Sequence, residues 1–103
     1  MTAKILQKNI CKYIGRVAYD KVILFGSRAR GTHTSESDFD ILLVLKRNST
    51  IQRKIRLSTI VRKRFADNMI DADILVKDKK DINYLKDKTG SVVRNALLEG
   101  IEL

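Results

Sequence analysis

Apolar residues recur along this chain first at helical spacing, then in short unbroken runs, then at helical spacing again. Leu6, Ile10, Tyr13, Ile14 and Val17 fall three or four apart, the period of a helix with one buried face, and Thr2 stands where an N-cap belongs. That helix is expected to end at Asp20. Val22 to Phe25 is a continuous apolar run, the pattern of a buried strand. Gly26 to Ser37 is polar and contains Gly26 and Gly31, so it reads as loop with room for one helical turn. Phe39 and the run Ile41 to Leu45 predict a central strand covered on both faces. Ser49 or Thr50 is placed to cap a second long helix, reaching about Ala66. Ile51, Ile55, Val61 and Phe65 are expected along its inner side, with Leu57 at the margin. Met69 to Lys77 reads as a third strand. Asp78 or Asp81 opens the last helical region, with Ile82, Leu85, Val92, Val93, Ala96, Leu97 and Leu98 turned inward and a break at Gly90. Gly100 suits a helix C-cap, and Ile101 to Leu103 a short edge strand. The order α-β-β-α-β-α predicts an α/β (α+β) fold, a small mixed sheet with helices packed on it, as a single domain over residues 1–103.

The length of 103 residues suffices for one modest core, and 44% apolar content supports a globular chain. No apolar run approaches the length of a membrane span, and Met1 to Gln7 lacks the pattern of a signal peptide. One cysteine, Cys11, cannot form an internal disulfide, so a cytoplasmic location is the expectation. Cys11 itself, like Tyr13, Tyr19 and Tyr84, reads as a packing residue, while Glu36 and His33 read as loop residues without a chemical role. The net charge of +9 favours anionic partners. It is unevenly spread: no acidic residue lies between Asp40 and Asp67, where Lys46, Arg47, Arg53, Lys54, Arg56, Arg62, Lys63 and Arg64 are all basic. Such a block is either a solvated helix face or a docking surface for an acidic partner or a phosphate chain.

The segment from Gly26 to Asp40 carries the chemistry. Asp38 and Asp40 stand one residue apart at the mouth of a strand, so both carboxylates project to one face while Phe39 points to the other. Two such anions repel unless a cation lies between them, and hard oxygen ligands favour Mg²⁺, with Mn²⁺ as the substitute. Asp71 and Asp73 share a face of the third predicted strand. If the two strands are neighbours, three carboxylates converge, enough for a pair of metal ions, one activating an attacking oxygen and one steadying a leaving phosphate. Gly26-Ser27 follows the first strand directly, where glycine lets a phosphate approach the backbone and the next N–H groups point at it. Arg28 and Arg30 add positive charge close by.

Gly26-Ser27, ten intervening residues, then Asp38-Phe39-Asp40 resembles the signature of the DNA polymerase β-like nucleotidyltransferase superfamily. The runs Gly-Ser-Arg-Ala-Arg-Gly from Gly26 and Ser37-Asp38-Phe39-Asp40-Ile41-Leu42-Leu43-Val44 are similar to its minimal nucleotidyltransferases. Asp73-Ile74-Leu75-Val76-Lys77 looks like the family's third-carboxylate strand, and Val92 to Leu103 like its closing helix and tail. The resemblance implies the nucleotidyltransferase core fold, metal binding by Asp38 and Asp40, a third ligand that is Asp73 in preference to Asp71, and phosphate binding at Gly26 and Ser27. Relatives of this length commonly pair with a HEPN-domain toxin, a helical RNase, and act as its antitoxin by transferring AMP from ATP to a tyrosine. The implied partners are therefore ATP, two Mg²⁺ ions and a HEPN-type toxin in a hetero-oligomer. Only 63 residues follow Asp40 (103 minus 40), which leaves little room for base-selecting or acceptor-binding segments, so a partner is expected to present the acceptor. A non-catalytic antitoxin that works by contact, and an RNA nucleotidyltransferase gripping its acceptor with the basic helix, are the competing expectations.

Overall fold

The structure, a computed structural model, describes all residues from Met1 to Leu103. Nine elements follow one another: α1 (Ala3–Ile14), β1 (Tyr19–Phe25), α2 (Ser27–Arg30), β2 (Phe39–Leu45), α3 (Ile51–Asp67), β3 (Ala72–Lys77), α4 (Lys79–Leu85), α5 (Val92–Glu99) and β4 (Ile101–Glu102). They build one four-stranded mixed sheet in the order β3-β2-β1-β4. β1 is antiparallel to β2 and to β4, whereas β2 and β3 are parallel and joined through α3. The predicted α/β class and the short edge strand are both present.

Each apolar run becomes a strand with two buried faces. Val22 and Leu24 of β1, Ile41, Leu43 and Leu45 of β2, and Ile74 and Val76 of β3 enter the larger core. That core is closed by Leu6, Ile10, Tyr13 and Ile14 of α1 and Leu57, Val61 and Phe65 of α3. Tyr13 and Phe65 pack ring against ring, 4.7 Å between centroids. The opposite face carries Ile23, Leu42 and Val44, covered by Ala96 of α5 with Phe25, Leu75 and Ile82 alongside. Helices on both faces explain why these strands lack an apolar–polar alternation.

Several boundaries differ from the sequence pattern. α1 stops at Ile14, not at Asp20, because Gly15 takes φ 74°, a conformation that ends a helix, and its N–H bonds the Cys11 carbonyl. Val17 lies outside the helix, and Asp20 falls inside β1. Thr50, not Ser49, caps α3, its hydroxyl accepting from the Arg53 N–H at 3.1 Å. Ile51 and Ile55, expected inside, are 71% and 62% exposed. At about 100° per residue they lie roughly 80–120° around the helix from Val61, while Leu57, at the margin in the sequence pattern, sits within the buried stripe. β3 begins at Ala72, since Met69 adopts φ 61° in the turn that closes α3. Asp78 and Asp81 serve α4 together as a capping box. Of the inward residues expected in α5, a two-turn helix, Val93 and Ala96 are buried, whereas Val92, Leu97 and Leu98 are exposed. Gly100 follows α5 with φ −76°; any side chain there would collide with Ile23 and the Ala96 carbonyl. Close approach to β1, not a left-handed cap, requires glycine. Cys11 and Tyr84, read as packing residues, are both exposed; the Cys11 thiol lies 3.8 Å from the Tyr19 hydroxyl, and the Lys88 ammonium covers the Tyr84 ring.

Candidate functional site

The parallel pairing of β2 with β3 places Asp40 directly opposite Asp73. The Phe39 N–H donates to the Asp71 carbonyl at 2.9 Å and fastens the two strand mouths together. Asp71 itself stands outside β3, one step before it, and is exposed. Asp38 is exposed at the entrance to β2, and Phe39 turns into the larger core, as the alternation along the strand demands. On the other side, β1 pairs Phe25 with Asp40, so the Gly26-Ser27 turn arrives beside the same carboxylate. Gly26 has φ 72° and ψ −156°, a region reserved for glycine, and an added Cβ would run into the Asp40 carboxylate oxygen. Ser27 opens the single turn α2, which the left-handed Gly31 closes.

Burial raises the pKa of Asp40 above the ordinary carboxylate value, and the neighbouring charges of Asp73 and then Asp38 push it in the same direction, against a smaller opposing pull from Arg30. Asp40 therefore feels the charge of both other aspartates, and Asp40 and Asp73 are strand neighbours. As placed, no three Asp, Glu, His or Cys side chains close into a metal-holding set by themselves. The donor chemistry nevertheless fits a hard divalent cation, because mutual repulsion among carboxylates is relieved when positive charge enters between them.

Asp40 and Asp73 open onto a cleft of about 700 Å³ between α3, β3 and the α4–α5 region. Phe25, Ile74, Leu75, Leu85, Val92 and Val93 give it an apolar lining suited to a flat ring. Ser58 and Arg62 of α3 and Lys77 of β3 supply polar groups. A second cleft of about 150 Å³ holds Asp38, Asp71 and Asp73 with Arg62.

The two arginines of α2 are differently engaged. Arg28 lies over the Phe39 ring, 4.3 Å from its centroid, and donates to the Ser37 carbonyl through Nε at 3.2 Å and Nη2 at 2.9 Å. Its donors brace the loop before Asp38. Arg30 is exposed and pairs with Glu99 at 3.4 Å, near enough to Asp40 to favour its charged form. Sequence reading missed Arg62, Ser58 and the apolar wall from α4 and α5. Arg62 was one cation among eight, and nothing in local spacing marks which of them faces a cleft.

A model of the nucleotidyltransferase domain matches residues 5–102. A Methanocaldococcus jannaschii protein, provisionally named a protein adenylyltransferase, is 46% identical over 41 residues, 40% of this chain and 41% of that protein. The matched stretch thus spans less than half of the relative. A Sulfolobus solfataricus protein described as a nucleotidyltransferase superposes with a TM-score of 0.56 at 27% identity, over 84% of this chain and 75% of the other. A chain from the complex of tri-AMPylated Shewanella oneidensis HEPN toxin with MNT antitoxin gives a TM-score of 0.52 at 17% identity, over 96% and 69%; at that identity the likeness concerns the fold. The Gly26-Ser27 turn and the aspartates of β2 and β3 lie within a domain match that takes in nearly the whole sequence, and the chain belongs to the nucleotidyltransferase-domain family.

Proposed function

We propose that this nucleotidyltransferase moves AMP from ATP to a hydroxyl of a partner protein, a tyrosine of a HEPN-type toxin that it thereby silences. The observation that carries the reading is the register of Asp40 against Asp73 beside Gly26-Ser27, at the edge of a cleft large enough for a nucleotide. Gly26 and Ser27 hold the terminal phosphates: the backbone is free of a side chain there, and the serine hydroxyl donates to an oxygen. Asp38, Asp40 and Asp73 would hold two Mg²⁺ ions, with Asp71 as the alternative third ligand, and such ions would supply charge neutralisation at the transferred phosphate and lower the pKa of the attacking hydroxyl. Arg28 keeps Asp38 in place through its hold on the loop, and Arg30 sets positive charge beside the phosphates. The apolar wall takes the base.

The shared fold with the antitoxin of the Shewanella complex supports the toxin context, and the likeness to the archaeal protein adenylyltransferase supports AMP as the group transferred. Incubation with labelled ATP, Mg²⁺ and the product of the neighbouring gene, read by intact mass, tests it. A gain of one or more AMP units is expected. Asp38→Asn and Asp40→Asn should each lower turnover by several orders of magnitude with the fold intact, since an amide supplies no charge. Partner neutralisation without any added mass would instead favour an antitoxin that acts by contact. Addition to RNA ends in place of protein would favour the nucleic-acid reading.

A further inference from the structure

Arg62 is the one cation shared by the two clefts that meet at Asp73. Its position is fixed by the helix that carries it. Val61 and Phe65 on either side of it in sequence are fully buried, so this turn of α3 cannot shift without opening the core. One turn earlier, the Ser58 hydroxyl donates to the Ile74 carbonyl at 2.9 Å and pins α3 to the outer edge of β3, beside Asp73. Ser58 and Arg62 are four apart and share a helix face, so the guanidinium rises from α3 over the strand that bears Asp73.

Three other cations of the same helix are already engaged, and the remaining two, Arg53 and Arg56, are exposed and line neither cleft. Lys54 bonds Asp78 and Asp81, Lys63 pairs with Asp67, and Arg64 donates to the Ile14 carbonyl at 2.6 Å. Arg62 makes no ion pair, although Asp38, Asp40, Asp71 and Asp73 line the clefts around it. A planar fork of donors kept free among carboxylates is suited to grip the oxygens of a phosphate brought there.

We propose that Arg62 contacts the α-phosphate in transit, at the junction of a large cleft that takes the nucleotide and a small cleft that admits the acceptor hydroxyl. The proposal rests on the AMP-transfer reading above and adds a residue and an entrance to it. Attack in line with the leaving group requires nucleophile and pyrophosphate on opposite sides of the phosphorus, and in the strand order Gly26-Ser27 follows β1 on one flank of Asp40 while the small cleft lies at Asp73 on the other. The acceptor oxygen forms a bond to the α-phosphorus. The bond from that phosphorus to the oxygen bridging to the β-phosphate breaks, and pyrophosphate leaves with the electron pair. The acceptor proton passes to water. Negative charge on the α-phosphate oxygens falls beside Arg62.

Steady-state transfer to the partner protein, with ATP and with the two diastereomers of ATPαS, tests the contact. Arg62→Ala should lower kcat about ten- to a hundred-fold, the effect of one lost charge-assisted hydrogen bond, while KM for ATP changes less than about threefold. Arg62→Lys should recover part of kcat. The rate ratio between the diastereomers should shrink in Arg62→Ala, a signature that a merely structural role would not move. Ala66 lines the small cleft and is exposed. Ala66→Trp should block transfer and leave MgATP binding, followed by calorimetric titration, unchanged. An unchanged kcat and diastereomer ratio in Arg62→Ala, or a rise in KM for ATP alone, overturns the contact. Wild-type transfer by Ala66→Trp overturns the entrance. A wild-type protein that transfers no AMP defeats the AMP-transfer reading itself, before any variant is compared.

Discussion

Gly26 answers to two demands at once, and they can be separated by substitution. Its φ of 72° with ψ −156° is open to glycine alone, and a Cβ there would meet the Asp40 carboxylate. Gly26→Ala should cost about 1–3 kcal/mol of stability through backbone strain. It should also displace Asp40, so activity should fall further than the melting temperature explains; both are read on one sample by thermal melting and labelled transfer. Ser27→Ala removes a single hydrogen bond to a charged group, worth about 1.5–3 kcal/mol, so use of ATP should weaken ten- to a hundred-fold with the melting temperature unmoved. The third-carboxylate question has a comparable test. Asp73 is in register with Asp40, and Asp71 lies before the strand at the small cleft. Asp73→Asn should abolish transfer and Asp71→Asn should leave much of it; the reverse outcome would move the ligand two residues along the chain.

Among the elements, α3 and α4 are locked together by a buried charge cluster. Asp78 is 2% exposed, the only buried charged residue. Its carboxylate accepts from the Lys54 ammonium at 2.9 Å, the Ser49 N–H at 3.0 Å and the Asp81 N–H at 3.0 Å. Burial alone would raise its pKa, but the Lys54 bond and the two backbone donors together outweigh burial and hold the carboxyl well below the usual carboxylate range. A depressed folded value means that the stabilisation is complete above the unfolded value of about 3.9 and is lost as pH falls below it toward the folded value. Lys54 is shifted the other way, upward, with burial opposing and Asp81 and Asp78 prevailing, so its share is lost only in strong base. Asp78→Asn leaves Lys54 buried without its full partner and should destabilise by about 3–5 kcal/mol at pH 7. In denaturant titrations the gap to wild type should narrow steadily below about pH 4. A gap independent of pH would show that the carboxylate charge contributes nothing.

On the scale of the whole molecule, the positive surface is smaller than the run of basic residues from Lys46 to Arg64 suggests. Lys54 and Arg64 are spent inside the fold and Lys63 is paired along its own helix. Lys46 and Arg47 before α3, and Arg53 and Arg56 on it, remain exposed without an acidic partner, apart from Arg62 at the cleft. A docking role for the helix itself therefore falls on Arg53 and Arg56. Reversing both to Glu should slow association with an acidic partner and flatten its salt dependence, measured by stopped flow at low and moderate ionic strength, with the aspartate site untouched. An unchanged rate at low salt would reduce them to a solvated face. What could be read from the chain alone was whatever is settled within a few neighbours: the apolar runs that became β1 and β2, the caps at Thr2 and Asp78, the glycine before α2, and two carboxylates one residue apart on a strand. What needed the tertiary structure depends on partners far away in sequence. The pairing of β2 with β3 brought Asp73, not Asp71, opposite Asp40, because register is a contact between strands and both residues fit the same alternation. The packing of α3 left Ile51 and Ile55 outside, since a helix has more apolar residues than its neighbour can cover. And only the meeting of α3 with β3 separated Arg62 from the cations beside it, because local spacing assigns every charge to the surface and only the opposite wall of a cleft gives one of them a place to act.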